Sequence, residues 1–416
     1  MVLFLEKLIW SYPLVIVLII THIFLTFKLK FPQKNIFKGF KLLFSNRSSF
    51  NILMTVLSGT IGIGNIVGVA SAVIIGGIGS IFWMFIAGFF AIATKYAETY
   101  ICLKYRKKEK NEYIGGAMYV LKDRIGNNFL AMFFSVSVIL ASFGIGCMIQ
   151  SNSATNILIS NFNINIDIVV FIITGICLIY IFLSENILKK ISGILIPIST
   201  VIYLYLCIVI IYIFRDNLVT TINNIIIDAF NIKSGAVGIF AFFSLRALSI
   251  GMSRGIFSNE AGMGSSPILS CSTTNNNLEE QSIISSISVF IDTVVLCTLT
   301  GIALVISNQY INETNAINLV NNVFSNTFMG NYLIMFCLIV FAISSIPCWS
   351  YYGKIAVKYI FKSNFYVFVY KVIYVICIYI GCVTTLNTVW SLSSIANACM
   401  IIPNIYMIYY LIKEIK

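Results

Sequence analysis

Charge is what this sequence has least of. Only 10% of its 416 residues are Asp, Glu, Lys or Arg, against about 25% in an ordinary soluble domain. With 59% hydrophobic residues and a mean hydropathy of +0.95, a water-soluble fold is excluded. Histidine is nearly absent. His22 alone supplies no HExxH pair, no GxSG motif with a partner base occurs, and no paired aspartates lie on facing helices, so an intramembrane enzyme is disfavoured. No GxxxxGK[ST] loop is present, so ATP is not the energy source. The eleven cysteines include no CxxC pair and lie mostly in apolar runs. They read as small buried hydrophobes, not as a zinc site or a disulfide framework. Acid is scarcer than base, 15 against 27, giving a net charge of +12. No basic face interleaved with aromatics appears, so nucleic acid is not the partner. No repeated ring of carbonyls or charges marks a channel filter.

Long apolar runs are what remains, and the bilayer is the partner they imply. About eleven stretches reach membrane-spanning length, near 8–28, 52–75, 78–103, 129–158, 167–184, 191–214, 235–260, 282–306, 331–361, 366–386 and 388–412. The first has a feeble basic flank at Lys7 and no small-residue cleavage site, so it reads as a helix and not a removable signal. Basic residues crowd one set of loops: Lys28 to Arg47, Lys104 to Arg124, Lys189 and Lys190, Lys354 to Lys362, and Lys413 with Lys416. The alternate set, around Asn161 to Asp167, Arg215 to Lys233, Ser307 to Asn331 and Thr384 to Thr388, is nearly free of them. The positive-inside rule then places the N-terminus outside and the C-terminus in the cytoplasm of an inner-membrane protein, as an odd span count requires. No soluble domain is expected. The segments Arg215 to Ser234 and Ser307 to Gly330 read as polar, Asn-rich connectors or lids.

Two spans break the rule that a membrane helix stays regular. Ser58 to Ser80 clusters Gly59, Gly62 and Gly64 around Thr60 and Asn65, and a second stretch runs through Ser249, Gly251, Ser253 and Gly255 into RGIFSNEAGMGSSP at Arg254 to Pro267. Unwound backbone at membrane depth survives only where protein buries it or a watery cavity meets it. The competing reading is close helix packing through small residues. Setting the first span aside, the other ten fall into two groups of five, each opened by an interrupted helix, the pattern of a secondary transporter built from inverted repeats. The chain is then one transmembrane domain: 1–48 as an extra helix and basic loop, and 49–214 and 235–416 as the two repeats.

These residues also carry a resemblance. GTIGIGNIVGVA at Gly59 to Ala70, GSIFWMFIAGFFAIATKYAETYICLKYR at Gly79 to Arg106, RGIFSNEAGMGSSP, and VFIDTVVLCTLTG at Val289 to Gly301 closely resemble the alanine or glycine:cation symporter family, over most of the chain as far as WSYYGK at Trp349 to Lys354. The resemblance implies an all-α LeuT-type fold, a 5+5 inverted repeat with two broken helices and one extra N-terminal helix. It implies uptake of alanine or glycine coupled to sodium or protons, with no organic cofactor. Proton coupling and a broader substrate range stay open. Neither break reads as offering a lone carboxylate, which favours sodium.

A zwitterionic substrate needs donors for its carboxylate and acceptors for its ammonium. Gly62 and Gly64 would offer backbone N–H groups, Thr60 a hydroxyl and Asn65 an amide, with Ser249 and Gly251 contributing from the second break. By resemblance Gln150 points at the substrate; otherwise it bridges helices. In LeuT-type proteins the turn matching FAISSIPCWSYYGK puts hydroxyls on sodium, so Ser344 and Ser345, with the carbonyls near Ser58 and Ile61, are the expected ion ligands. Trp349, one turn on, would lid the pocket. The competing reading has the serines bonded to their own helix. Lys95 and Glu98 are expected to pair. Asp292 is expected to accept from backbone or to pair with Arg246 or Arg254.

Overall fold

The computed structural model describes residues 9–10, 13–45, 47–109, 112–162, 164–183, 185–230, 245–273, 277–384 and 386–415. Residues 235–244 of the seventh expected span, and Lys110 of the second basic loop, lie outside them. Among the described residues the chain is almost wholly helical. Each expected span meets a helix, and seven helices are individually long and apolar enough to cross a bilayer.

The chain opens with α1, Pro13–Lys28, which turns through 65° into α2, Ile36–Ser45. The segment expected as a basic loop is therefore partly helical. Ile36 and Leu43 are buried on one side of α2, which is enough to order it against its neighbours. The first interrupted span follows as α3, Arg47–Thr60, and α4, Val67–Gly76, with a single 3₁₀ turn between them at Ile63–Asn65. Next come α5, Ser80–Lys104, a short hairpin pairing β1, Lys107–Glu109, with β2, Glu112–Ile114, and α6, Ala117–Asp123. Helix α7, Asn128–Phe162, carries a π-helical turn at Ser142–Met148; α8, Ile166–Phe182, and α9, Glu185–Ile213, complete the first half.

Both segments expected as polar connectors contain packed helices. In the first, α10, Leu218–Ala229, reaches back to the bundle, where Asp228 Oδ2 accepts from Gly79 N at 2.7 Å. The second half runs through α11, Leu245–Asn259, α12, Ser266–Ser270, and α13, Leu278–Ile306, which has its own π-helical turn at Phe290–Cys297. The second connector folds as α14, Ala316–Phe324, whose Leu319, Val320, Val323 and Phe324 are buried. Asparagine richness hid a 3.6-residue apolar period there. The chain closes with α15, Gly330–Phe361, α16, Asn364–Val383, and α17, Leu386–Leu411.

The second break is not where the small residues begin. Ser249, Gly251, Ser253 and Gly255 lie on the regular helix α11, and the chain unwinds only after Asn259. There Glu260, Gly262 and Gly264 take φ of 57°, 89° and 72°. Gly251 and Gly255 form a GxxxG face pressed onto α5: a Cβ on Gly251 would lie 2.5 Å from the Ser80 carbonyl oxygen. In that stretch the packing reading holds.

Candidate functional site

At the first break the chain leaves α3 after Thr60, and its polar groups find partners on three other helices, α7, α13 and α15. Gly62 is extended, with φ −141° and ψ −162°, and its N–H donates to Asn65 Oδ1 at 3.0 Å. Ile63 N donates to Gln150 Oε1 at 3.1 Å, and Ser345 Oγ donates to the Ile61 carbonyl at 3.1 Å. Gly62 lies where α7 and α15 converge: a Cβ there would sit 2.8 Å from Ser345 Oγ and 3.2 Å from Gln150 Nε2. Gln150 follows the π-helical turn of α7, and Asp292 sits within that of α13. An extra residue in a turn re-aims the side chains around it, a device frequent at functional sites.

The expected residues are brought together unequally. Gly62, Asn65, Gln150, Ser345 and the Ile61 carbonyl meet at the turn. Gly64 packs under Phe257, 2.9 Å from its ring in the sense of an added Cβ. Trp349, 1% exposed, lies one turn from Ser345, with its Cβ 2.5 Å from a Cβ built on Gly146 and its ring in edge contact with Tyr352. Ser58, Thr60 and Ser344 donate to carbonyls of their own helices, Thr55, Val56 and Phe341. Ser249 donates to the Trp10 carbonyl at 2.5 Å, away from the turn.

Asp292 is where the two breaks join, and neither expected arginine holds it. Its carboxylate accepts from Asn65 Nδ2, Ser258 Oγ and Thr293 Oγ1, each at 2.7 Å. Arg254 instead stacks on Trp390, its guanidinium carbon 4.0 Å from the ring centroid, and Phe257 packs on the same indole at 4.5 Å. The premise that neither break carries a carboxylate therefore fails: Asp292 stands against the first and Glu260 lies within the second. An Asp inside an apolar span was the available signal, being expensive there and functional by default. Its distant partners, Asn65 and Ser258, were not legible.

The second break is held from α5. Lys95 and Glu98 do pair, at 3.8 Å, and each does more. Lys95 Nζ donates to the Asn259 carbonyl at 2.9 Å, at the C-terminal end of α11 where a cation suits the exposed carbonyls. Glu98 Oε2 accepts from Gly262 N, Gly264 N and Asn404 Nδ2 at 3.0, 3.2 and 2.8 Å. Lys95 and Glu98 thus satisfy three backbone groups of the unwound segment, and Asn259 Oδ1 and Asn404 Nδ2 meet the Ala261 N–H and the Gly262 carbonyl, so a charged, glycine-rich stretch is accommodated inside an oily chain.

Two broken helices facing each other inside a helical membrane bundle define a class, and solved structures share it. MhsT in complex with L-phenylalanine superposes with a TM-score of 0.62 at 14% identity, covering 87% of this chain and 88% of that one. A Na+-coupled sialic acid symporter gives 0.54 at 13% identity, covering 98% and 82%. The fold is of LeuT type. The family model for the sodium:alanine symporter family matches residues 1–416, and the chain belongs to that family. It is 33% identical to the sodium/alanine symporter AgcS of Methanococcus maripaludis, over 95% of this chain and 91% of that one. These are multi-pass membrane symporters, not enzymes.

Proposed function

We propose that the protein takes up small neutral amino acids, alanine or glycine, coupled to sodium and by alternating access across the inner membrane. The observation that carries the substrate class is the convergence at Gly62. There an unwound turn, the Gln150 amide and the Ser345 hydroxyl surround a Cα with no room for a Cβ. A substrate carboxylate takes the place of Gln150 Oε1 at Ile63 N, alongside the other amides of the 62–64 turn. The ammonium is accepted by the freed Gln150 oxygen and the Ser345 hydroxyl. Trp349 closes the side-chain end, which favours a small side chain.

For the ion, two groups of hard oxygens flank the turn. Ser345 Oγ and the Ile61 carbonyl form one, which Ser58 and Ser344 join only by rotating away from their own helices. Asp292, Ser258 and Thr293 form the other, with Asn65 donating its Nδ2 to the Asp292 carboxylate. A buried carboxylate held by neutral donors is costly, and a monovalent cation beside it offsets that cost. The name of the family and of the relative in Methanococcus maripaludis favour sodium as that cation. A buried carboxylate also suits a proton, so the test separates the two. Labelled alanine and glycine are offered to proteoliposomes under an inward sodium gradient, an inward proton gradient, or neither. Accumulation under sodium alone is expected; accumulation of neither amino acid under either gradient rejects the substrate, and accumulation under protons alone rejects the ion.

A further inference from the structure

We propose that α2 is an interfacial helix that binds the headgroups of anionic phospholipids in the leaflet next to the basic loops. Its two faces demand different surroundings. On one, Ile36 and Leu43 are buried and Gly39 presses on Ile283 and Ile287 of α13. On the other, Phe37 and Phe44 are 85% and 90% exposed, with Lys41 between them on the same i, i+4, i+7 stripe. Two bare phenyl rings do not suit water, and a run of lysines does not suit hydrocarbon. The boundary between headgroups and acyl chains suits both.

Position agrees with composition. The 65° turn from α1 lays α2 toward the membrane plane. Gly39 meets α13 five and nine residues past its start at Leu278, which at 1.5 Å per residue is about 8–14 Å along that helix. Lys38 reaches back to Glu279 at 3.0 Å and so marks the aqueous side. The charge then selects the lipid. From Lys28 to Arg47 the chain carries six basic residues and no acidic one, so a headgroup with net negative charge is drawn in preference to a zwitterionic one. Because α2 runs almost directly into α3, the lipid holds the inner half of the first broken helix.

The test reads lipid contact directly and does not depend on which solute is carried. In proteoliposomes, Phe37→Trp is compared with the parent for the added fluorescence quenched by brominated phosphatidylglycerol or brominated phosphatidylcholine. Both are expected to quench, phosphatidylglycerol at several-fold lower mole fraction. Adding Lys34→Gln and Lys41→Gln is expected to weaken that preference on the order of tenfold, while Phe171→Trp, on the exposed face of α8, shows none. Failure of either lipid to quench overturns the interfacial placement. Equal quenching by the two lipids, or a preference unmoved by the lysine substitutions, overturns the anionic site.

Discussion

Ser344 and Ser345 stand side by side on α15 and do different things. Ser344 bonds its own helix at the Phe341 carbonyl, whereas Ser345 crosses to the Ile61 carbonyl on the unwound turn. The reading of serines bonded to their own helix therefore describes Ser344 and not Ser345, a distinction that spacing alone does not contain. Losing a partner of a charged group typically costs about 1–3 kcal/mol, or roughly tenfold to a hundredfold in affinity. Ser345→Ala is expected to weaken alanine binding by such a factor at limiting sodium and to recover at high sodium, because linkage is reciprocal. Ser344→Ala should leave the sodium dependence nearly unchanged. Alanine binding titrated against sodium checks both, and superimposable curves for Ser345→Ala and the parent reject its coupling role. Asp292→Asn keeps the shape and removes the charge between the breaks. It is expected to abolish sodium-stimulated uptake in protein that remains monodisperse in detergent, and uptake equal to the parent's would remove Asp292 from the ion site.

At the scale of elements, the first break was legible and the second was misplaced, for one physical reason. A cluster of small residues permits both unwinding and close helix contact, and a sequence does not say which neighbour lies alongside. Gly251 and Gly255 face α5 and stay helical; Gly262 and Gly264 face Glu98 and Asn404 and unwind. The consequence is measurable. Gly264→Ala forces φ of 72° on a residue whose Cβ would sit 2.5 Å from Asn404 Oδ1, a strain of about 1–3 kcal/mol. Gly255→Ala meets the flexible Met84 side chain at 3.3 Å and the Met84 backbone no closer than 3.8 Å. Thermal unfolding in detergent should show a clear loss for the first and a small change for the second. Equal losses would mean that the second break is not rigidly held. Helices α15 and α7 run side by side here, with Ser345 and Gln150 both against Gly62 and Trp349 against Gly146. Trp349→Ala removes an indole of about 150–250 Å², so leucine and methionine should compete better while alanine binds less tightly. An unchanged competition profile would take Trp349 out of the pocket.

For the molecule as a whole, the run of apolar spans and the distribution of lysines were the most legible features, because a bilayer constrains both directly. Of the helices outside the spans, α2, α10 and α14 were not, since their apolar faces are short and diluted by Asn and Lys. Basic residues of the first, second and fourth basic segments find acidic partners in or beside the basic loops; the side chains of Lys189, Lys190 and Lys416 lie outside the described residues. Lys38 pairs with Glu279, Lys107 with Asp123, and Lys358 with Glu109, at 3.0, 2.7 and 3.5 Å. Glu414 near the C-terminus gathers Lys104 at 2.7 Å, Arg124 at 2.9 Å and the Tyr105 hydroxyl. Trp10, by contrast, binds Ser394 and Ser249 near the starts of α17 and α11, at the opposite end of α17 from Glu414. Exposed ion pairs of this kind contribute little stability each, but as geometry they tie loops separated by hundreds of residues to one surface. If that surface is cytoplasmic, a green fluorescent protein fused after Lys416 fluoresces in cells and an alkaline phosphatase fused there is inactive, because the first folds only inside and the second only outside. A phosphatase fused after an outer connector, at Asn312 between α13 and α14, should be active. The reverse pattern at both sites would turn the whole molecule over, moving α2 to the outer leaflet while leaving every contact within the bundle as it is.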